Sequence, residues 1–322
     1  MLLAGDVGGT KTLLGLFQRA PKRPEPVGLV AYSTRDFRSF TDMLQAFARD
    51  VRPPEPIEAA AIGVAGPVVN GRAQLTNVAF EIAVDEITAW GGRVRARLLN
   101  DLEALANSVD VLRPEEIVEL QPGIARQDGN AVVIAAGTGL GEAYLHRVDG
   151  RLQPAPSEGG HADFAARTDR EVDLLRFLRA RFGRAEVEHV LCGPGILNLH
   201  EFTHQDKDCP TLIAAPVGGE PAAISQAAMA RSCPGCVEAM DLFVSAYGAE
   251  AGNLALRGVA TAGVYIGGGI SPKILPLLRR GDFLDAFRSK APMDDLVAQI
   301  PVKVILNEEA GVLGAAVCAN EM

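Results

Sequence analysis

Apolar and polar positions along the chain predict strands that run into turns, and helices that follow them. Val94–Leu99 alternates apolar residues with arginines and ends in an apolar pair, which predicts a strand. Apolar residues from Leu102 to Val109 then recur at the spacing of one helix face. Asn100 and Asp101 therefore lie at a strand-to-helix turn. The alternative to a chemical role for Asp101 is a plain helix N-cap, a common use of aspartate.

The chain opens with an apolar strand that enters the turn Gly5–Thr10 and leaves it through the extended run Thr12–Phe17, which predicts a hairpin. The turn nearly matches the phosphate-loop pattern Gly-x-x-x-x-Gly-Lys-Ser/Thr, but Thr10 stands where the last glycine belongs. That type of loop also leads into a helix, so we reject it. N–H groups of a tight turn can still face phosphate, and Asp6 is placed to hold Mg²⁺ through water. The alternative is a plain Gly-Gly hairpin.

Two later segments repeat the pattern of an apolar strand followed by glycines. Ala131–Leu145 carries the turn Gly137–Gly141 between two strand-like runs, and a third apolar strand ends at Gly267–Ile270. A dinucleotide-binding interpretation of the second turn fails, because Glu142–Val148 alternates like a strand and the glycine spacing differs from Gly-x-Gly-x-x-Gly. The first two turns lie about half the chain apart, so we expect two related halves that face one phosphate group.

Carboxylates and a histidine between these turns are candidates for ligand binding. In Glu158-Gly159-Gly160-His161, two glycines let a carboxylate and an imidazole converge on something small. The donor and acceptor of a neutral histidine, together with carboxylate oxygens, suit adjacent sugar hydroxyls. Glu188 precedes a buried-looking turn and is placed to face the same ligand. The alternatives are a loop with a capped histidine and a solvated glutamate on a helix face.

The same signals predict the other elements. They are a helix over Phe40–Phe47, a buried strand within Ile57–Val68 with a hairpin turn at Asn70-Gly71, a helix opened by the capping box Thr168–Glu171 and closed by Gly183, a long loop over His204–Ala223, a helix across Phe243–Leu256, a strand over Val302–Leu306, and a final helix over Glu308–Ala319 capped by Asn307.

Length, charge and composition limit the possible functions. The 322 residues predict two domains, since one domain typically takes about 100–200 residues. A net charge of −9 argues against general nucleic-acid binding, which needs a basic face. We expect no signal peptide, because Asp6 interrupts a short apolar start without a basic region before it. No run of 18 or more uncharged apolar residues exists, so we expect no membrane span.

The cysteines indicate a reducing compartment. They form an odd, scattered set of five, at positions 192, 209, 233, 236 and 318. Cys233-Pro-Gly-Cys236 is spaced like half of a redox or metal site, but no suitable Cys or His pair follows it. The sequence therefore predicts a break between helices there and no structural zinc site.

The glycine turns, the Asn-Asp pair and the Glu-Gly-Gly-His cluster together resemble the zinc-free bacterial glucokinases of the hexokinase/actin-like ATPase superfamily. The stretches that carry this resemblance span nearly the whole chain. They are Gly5-Asp6-Val7-Gly8-Gly9-Thr10, Leu99-Asn100-Asp101, Gly137-Thr138-Gly139-Leu140-Gly141, Glu158-Gly159-Gly160-His161, Val190-Leu191-Cys192-Gly193-Pro194-Gly195 and Gly267-Gly268-Gly269-Ile270. The related repressor and kinase family would have a cysteine-rich zinc motif soon after the histidine, whereas Ala162–Ala165 follows here. Lys11 stands where relatives often have a polar, uncharged residue, and Cys192 stands where serine is frequent.

The resemblance implies an α/β fold of two ribonuclease-H-like domains around a cleft, with residues 1–108 and 305–322 in a small domain and 109–304 in a large one. It implies a glucokinase that phosphorylates the 6-hydroxyl of glucose with ATP and Mg²⁺, as a cytoplasmic homodimer in glycolysis. Asp101 resembles the general base, and Asn100, Glu158, His161 and Glu188 resemble the groups that hold the other hydroxyls. Gly5–Thr10 and Gly137–Gly141 resemble the phosphate loops, and Gly267–Ile270 the adenosine-side turn.

Three other functions stay open at this point. The first is a kinase for another hexose, such as fructose or mannose, because isomers differ by one hydroxyl. The second is a sugar-sensing repressor, which needs a DNA-binding segment before the first turn, where four residues precede Gly5. The third is an actin- or chaperone-like ATPase, but such proteins lack the Glu-Gly-Gly-His cluster.

Overall fold

The structure, a computed structural model, describes residues 1–75, 80–92, 94–204, 209–213 and 215–322. Its strands are, in chain order, β1 (Leu2–Val7), β2 (Lys11–Gln18), β3 (Glu25–Ser33), β4 (Ala59–Val64), β5 (Arg72–Gln74), β6 (Glu81–Ala83), β7 (Arg95–Asn100), β8 (Ile117–Gln121), β9 (Ala131–Ala136), β10 (Leu140–Val148), β11 (Arg151–Ser157), β12 (Gly263–Gly267) and β13 (Val302–Ile305).

The helices lie mostly in the second half of the chain. They are α1 (Phe40–Val51), α2 (Val84–Trp90), α3 (Asp101–Asn107), α4 (Asp169–Phe182), α5 (Gly193–His204), α6 (Pro210–Ile213), α7 (Glu220–Met229), α8 (Pro234–Gly258), α9 (Leu275–Leu278), α10 (Asp282–Arg288), α11 (Asp294–Ala298) and α12 (Ala310–Glu321). Among the residues that the structure describes, no helix is both long and apolar enough to cross a membrane.

Contacts between residues divide the chain into two compact units. The first contains Met1–Glu116, Arg151–Pro156 and Asn307–Met322, and the second contains Ile117–Gly150 and Ser157–Leu306. Each unit has its own sheet and helices, so the chain is a mixed α/β protein.

The sheet of the first unit has the strand order β3-β2-β1-β4-β7. Strands β1 and β2 form the predicted antiparallel hairpin, while β1, β4 and β7 run parallel. In the register of these parallel strands, Val7 is opposite Val64, which is opposite Asn100. Because the carboxyl ends of parallel strands meet at one edge of a sheet, the residues that follow Val7 and Asn100 belong to the same edge.

Helix α12 packs on the sheet of this unit and lies close to α3. Ala315, Ala316 and Ala319 of α12 form a buried cluster with residues of the first sheet and with Ala104. A Cβ at Gly314 would overlap the main-chain oxygen of Ala104. The two helices therefore contact each other through their backbones, and α12 supports the helix that starts at Asp101.

We expect Gly314→Ala to destabilise the protein by roughly 1–3 kcal/mol, because the added methyl group must separate α12 from α3. The same exchange in an exposed helix stabilises it by about 1 kcal/mol, so the sign of the effect tests the packing. Urea denaturation measures it. The control Val317→Ala, at a half-buried position of α12, should cost about 1 kcal/mol or less. A gain of stability in Gly314→Ala would contradict the close contact.

The sheet of the second unit contains the run β10-β9-β12-β13-β8. Strand β12 lies between β9 and β13 and is parallel to both, whereas β10 returns antiparallel to β9. Gly267 is opposite Ala135, so the turns that follow β9 and β12 leave the sheet side by side. Strand β9 is buried along its whole length, which fits its continuous apolar sequence.

The long helix α8 provides the core of this second unit. Phe243 and Tyr247 are fully or almost fully buried and stack edge-on against each other, and Tyr247 also meets Phe283 of α10. A Cβ at Gly248 would overlap the main-chain oxygen of Phe283. Glycine in the middle of α8 is therefore required by the close approach of α10, although glycine is a poor helix former.

Most predicted elements are confirmed, including both hairpins, the helix from Phe40 and the helix closed by Gly183. The turn at Asn70-Gly71 has both residues at positive φ, 51° and 70°. This is the geometry of a type I′ hairpin turn, which favours Asn and Gly. Thr168 caps Glu171 N as predicted, but the Glu171 carboxylate accepts from Arg167 N instead of Thr168 N.

Two predictions were wrong. The loop predicted over His204–Ala223 contains α6 and the start of α7 within its described part. Pro221 does not prevent a helix there, because it lies in the first turn, where its missing N–H has no intrahelical acceptor. The final helix begins at Ala310 and not at Glu308, and Asn307 Oδ1 accepts from Glu309 N at 2.8 Å. Asn307 thus stabilises the turn before the helix and does not cap it.

Candidate active site

Asn100 and Asp101 stand where β7 passes directly into α3. Asn100 is the N-cap: its Oδ1 accepts from Leu102 N at 2.8 Å, and its Nδ2 donates to Gly66 O at 3.3 Å. Asp101 is the first helical residue, and its Oδ1 also accepts from Leu102 N, at 2.9 Å. The alternative that Asp101 is simply the N-cap is therefore wrong, because Asn100 fills that position.

The turn Gly5–Thr10 is braced by a residue that the sequence analysis missed. Gly8 N donates to Lys11 O at 3.0 Å, which closes the turn. Thr34 is fully buried, donates through Oγ1 to Gly8 O at 2.8 Å and through its N–H to Thr10 O at 2.9 Å. No local sequence signal connects Thr34 with a turn more than twenty residues earlier; only the pairing of β2 with β3 brings them together.

Asp6, at the start of this turn, is a suitable magnesium ligand. A Cβ on Gly311 of α12 would come 2.6 Å from Asp6 Oδ2, so only a glycine leaves space beside the carboxylate. Burial raises the pKa of Asp6, and Lys11 partly offsets the rise. A cation beside the carboxylate favours its ionised form. Mg²⁺ takes oxygen ligands, commonly one or two carboxylates with substrate phosphates and waters, and Asp6 fits that donor set.

In the second unit, the turn Gly137–Gly141 is held by main-chain and carboxylate contacts. Gly193 N donates to Gly137 O at 2.9 Å. Glu188 Oε2 accepts from Leu140 N at 2.7 Å, and a Cβ on Gly139 would also come 2.7 Å from that oxygen. Glu188, proposed from the sequence as a ligand-facing residue, therefore lies directly against the glycine turn.

The contacts of the Cys192 sulfur explain how this chain tolerates a cysteine where serine is frequent. Its Sγ donates to Glu188 O at 3.0 Å and accepts from Gly195 N at 3.2 Å. A serine hydroxyl would make the same pair of contacts at the start of α5. A Cβ on Gly195 would overlap Val190 O, so this glycine is required by the same tight turn.

The turn that begins at Gly267 lies against the end of β9. Gly268 has a φ of +81°, and a Cβ there would overlap Ala136 O. The buried Tyr247 hydroxyl accepts from Ala136 N at 3.3 Å and lies 3.1 Å from Ser271 Oγ, which donates to Gly267 O at 2.9 Å. Tyr247 thus joins the ends of β9 and β12, a role that the sequence did not predict.

Both glycines of Glu158–His161 are required by close contacts. The segment folds into a turn of 3₁₀ helix. A Cβ on Gly160 would overlap Leu140 O, and one on Gly159 would overlap the Glu142 carboxylate. The glycines therefore let this turn lie directly on β10, next to the turn Gly137–Gly141.

His161 and Glu188 come together, with Glu186 as a third member. The ligand atoms of these three side chains all lie within 4.8 Å of one another. His161 Nδ1 is 3.3 Å from Glu186 Oε1, and Arg184 donates to Glu186 Oε2 at 2.6 Å. Burial opposes ionisation of Glu186, but the hydrogen bond with His161 and the other basic groups lower its pKa. Glu158 is exposed at the start of the turn. Glu186 was missed because its role depends on this contact between separate loops.

These features divide between the units. The first unit carries Asn100, Asp101 and the turn Gly5–Thr10 with its carboxylate, and the second carries two glycine turns and the acid–histidine cluster. Main-chain N–H groups at glycine turns suit phosphate, while carboxylate, amide and imidazole groups suit hydroxyls.

Comparison with known proteins decides the family. The family model described as Glucokinase matches residues 3–322. The chain belongs to the glucokinase family. Among curated relatives, the glucokinase of a Nostoc species is 37% identical over 340 residues, covering 100% of this chain and 99% of the relative. The glucokinase of a Synechocystis species is 36% identical over 352 residues, covering 99% and 98%.

Solved structures of glucokinases have the same fold. A glucokinase from an Antarctic psychrotroph superposes with a TM-score of 0.86 at 28% identity, covering 100% of this chain and 99% of that one. A ROK family glucokinase from Streptomyces griseus, solved with glucose and AMPPNP, gives a TM-score of 0.68 at 20% identity, covering 100% and 99%. The latter identity supports the shared fold alone.

One buried acid lies beneath the Glu158–His161 turn and belongs to none of the segments that carry the family resemblance. Glu142 of β10 is 1% exposed, and neither carboxylate oxygen has a hydrogen-bond partner within the described ranges. Burial raises the pKa of Glu142 to about 7; the charge of Glu250 adds to the rise and Arg257 opposes it. The protein therefore carries a protonated carboxyl group under this turn below neutral pH.

We expect Glu142→Gln to change how the free energy of unfolding depends on pH. The pKa of Glu142 is about 7 when folded and 4.5 in its unperturbed state, so the folded chain keeps a proton that the unfolded chain loses between these values. Unfolding free energy of the native chain should fall by roughly 3 kcal/mol across that window as pH rises. Glutamine does not titrate, so the unfolding free energy of the variant, relative to that of the native chain, should rise by about this amount over the same window.

Urea denaturation at several pH values between about 5 and 8 measures this gain. Glu119→Gln, at an exposed position of β8, controls for the exchange of a carboxylate for an amide. A difference between Glu142→Gln and the native chain that stays constant over the whole range would contradict the raised pKa.

Proposed function

We propose that Asp101 is the general base with which this member of the glucokinase family transfers the γ-phosphoryl group of ATP to the 6-hydroxyl of glucose (EC 2.7.1.2). An alcohol is a poor nucleophile, and a positioned carboxylate that takes its proton typically contributes about 10²–10⁴-fold. The rest of the rate enhancement in phosphoryl transfer comes from alignment and from neutralisation of charge on the transferring group.

The observation that carries this proposal is the location of Asp101 in the first unit. It follows the N-cap Asn100 at the carboxyl end of β7. Asn100 is opposite Val64, which is opposite Val7 in the turn Gly5–Thr10. A carboxylate and a glycine turn at one sheet edge are the two parts that an alcohol and a phosphate require. Ligands of open α/β sheets bind at this edge.

We assign the other sugar hydroxyls to Asn100, Glu158, His161 and Glu188. The contact of His161 Nδ1 with Glu186 supports this role. When Nδ1–H donates to the carboxylate, Nε2 of the neutral ring is left as an acceptor for a hydroxyl. Glu188 uses Oε2 to hold Leu140 N and has a second oxygen in its carboxylate. Glu186 is then a positioning residue for His161.

We assign the phosphates of ATP to the turns Gly5–Thr10 and Gly137–Gly141, and its adenosine side to Gly267–Ile270. The absence of side chains at these glycines supports the assignment, because main-chain N–H groups can approach phosphate oxygens closely. Asp6 would hold Mg²⁺, which supplies neutralisation of the charge on the phosphates when bound. The cytoplasmic location, the homodimer and the place in glycolysis are further proposals that follow from the family alone.

We expect Asp101→Ala to lower kcat at least about a hundredfold while glucose binding persists, because it removes the proton acceptor and leaves the hydroxyl contacts in place. A coupled ADP-release assay gives kcat, and calorimetry with glucose gives binding. The control Glu103→Gln, on the same helix, changes a carboxylate that pairs with Arg97 at 2.7 Å and should keep normal turnover. Near-normal turnover of Asp101→Ala would remove Asp101 from the mechanism.

The same assay on the native chain compares glucose with fructose and mannose. Glucose should give the highest kcat/KM. A higher value for another hexose would make the protein a kinase for that sugar, and no ADP release with any hexose would favour sugar binding without catalysis.

We expect Glu158→Ala to raise the KM for glucose roughly 5- to 150-fold, because unpaired hydroxyls cost about 1–3 kcal/mol. The KM for ATP should not change. Asp163→Asn, on the same loop and paired with Arg184, serves as the control. An unchanged KM for glucose in Glu158→Ala would show that Glu158 does not contact the sugar.

A further inference from the structure

A cluster of cysteine and histidine side chains in the second unit takes no part in the proposed reaction. His200 and His204 lie at the end of α5, Cys209 precedes α6, and Cys233 and Cys236 stand at the start of α8. Ligand atoms of His200, His204, Cys209 and Cys236 all lie within 4.8 Å of one another. Cys209 and Cys236 are buried, as is His200.

Three separations between ligand atoms in this cluster match those of a tetrahedral zinc site. The Sγ atom of Cys209 is 4.0 Å from that of Cys233 and 3.9 Å from that of Cys236, and His204 Nε2 is 3.3 Å from Cys233 Sγ. Zinc binds sulfur at about 2.3 Å and imidazole nitrogen at about 2.0 Å. At the tetrahedral angle, these lengths separate two sulfurs by about 3.8 Å and a sulfur from a nitrogen by about 3.5 Å.

The ring of His204 is oriented as a metal ligand requires. Its Nδ1 lies 2.8 Å from His200 O, which accepts the Nδ1 proton and leaves Nε2 facing the sulfurs. The ring of His200 stacks on that of His204, with 3.7 Å between the ring centroids. A Cβ on Gly235 would come 2.5 Å from His204 Cε1, so the glycine of Cys233-Pro-Gly-Cys236 leaves space for this ring.

Thiol pairing does not account for this arrangement. The five cysteines of the chain are all free, and their separations here are far above the length of a disulfide bond. Three sulfurs also cannot all be paired as disulfides within the cluster. Three thiolates and one imidazole are the donor set that zinc takes in closed structural sites.

We propose that His204, Cys209, Cys233 and Cys236 bind one Zn²⁺ in a four-coordinate structural site. Binding would release the three thiol protons to solvent, and the metal would join the end of α5, the start of α6 and the start of α8. This proposal replaces the sequence-based expectation that no zinc site exists. That expectation considered only a ligand pair after Cys236, whereas His204 and Cys209 stand before Cys233.

Metal content of the full chain tests the proposal. The chain is purified under reducing conditions from zinc-supplemented medium, and mass spectrometry counts metal per chain. We expect one zinc in the native chain and in the control Cys318→Ser, which changes a buried cysteine of the first unit. Cys236→Ser should hold well under half as much. Equal zinc in Cys236→Ser and the native chain would overturn the assignment.

A second measurement does not depend on a variant that folds. The native chain is stripped with a chelator, and Co²⁺ is then titrated into it. We expect saturation at one equivalent, with the intense absorption of tetrahedral cobalt and sulfur-to-cobalt charge transfer, and displacement of cobalt by Zn²⁺. A chain that carries no zinc as purified and gives no such spectrum would overturn the proposal.

The two histidines are distinguished in the same titration. His204→Ala should lose the tetrahedral spectrum, and His200→Ala should keep it. The reverse result would overturn the assignment of His204 as the nitrogen ligand.

Discussion

Main-chain contacts too close for any side chain hold the glycine turns of the second unit together. A Cβ at Gly268 would enter the space of Ala136 O, and one at Gly160 would enter that of Leu140 O. These turns therefore stack directly on the ends of strands and on each other. Close packing fixes the main chain of these turns, and main-chain groups held in place in advance are what recognition of a phosphate chain demands.

Buried polar groups fix the positions of those turns. The Tyr247 hydroxyl reaches the ends of β9 and β12 from α8, and the Glu188 carboxylate accepts from Leu140 N at the start of β10. Each of these side chains satisfies main-chain groups that a turn leaves unpaired. In the proposed function Glu188 has two tasks, since it holds the turn that we assign to phosphate and is also assigned to a sugar hydroxyl. On that proposal, a change at Glu188 affects the binding of both substrates.

Local signals in the sequence were sufficient for the strands that lead into the glycine turns and for the strand-to-helix turn at Asn100, but not for β3, β8 or β11. Alternation predicted β7, the spacing of apolar residues predicted α3, and the pair Asn70-Gly71 predicted a turn in which both residues have positive φ. What could not be predicted depends on contacts between distant segments. Thr34 reaches Gly8 through strand pairing, and the turn at Gly159 lies directly over Glu142. In a strand that alternates, nothing local distinguishes a covered glutamate from an exposed one.

The packing of α12 on α3 has a consequence for synthesis of the chain. Leu2, Phe17 and Leu99 lie in a cluster whose remaining wall is α12, about 200 residues after α3. At about 5–20 residues per second, the ribosome needs on the order of ten to forty seconds to make the intervening chain. Throughout that interval one apolar face of the first sheet lacks the cover that α12 provides, and transiently exposed hydrophobic surface of this kind makes an incomplete chain prone to aggregation.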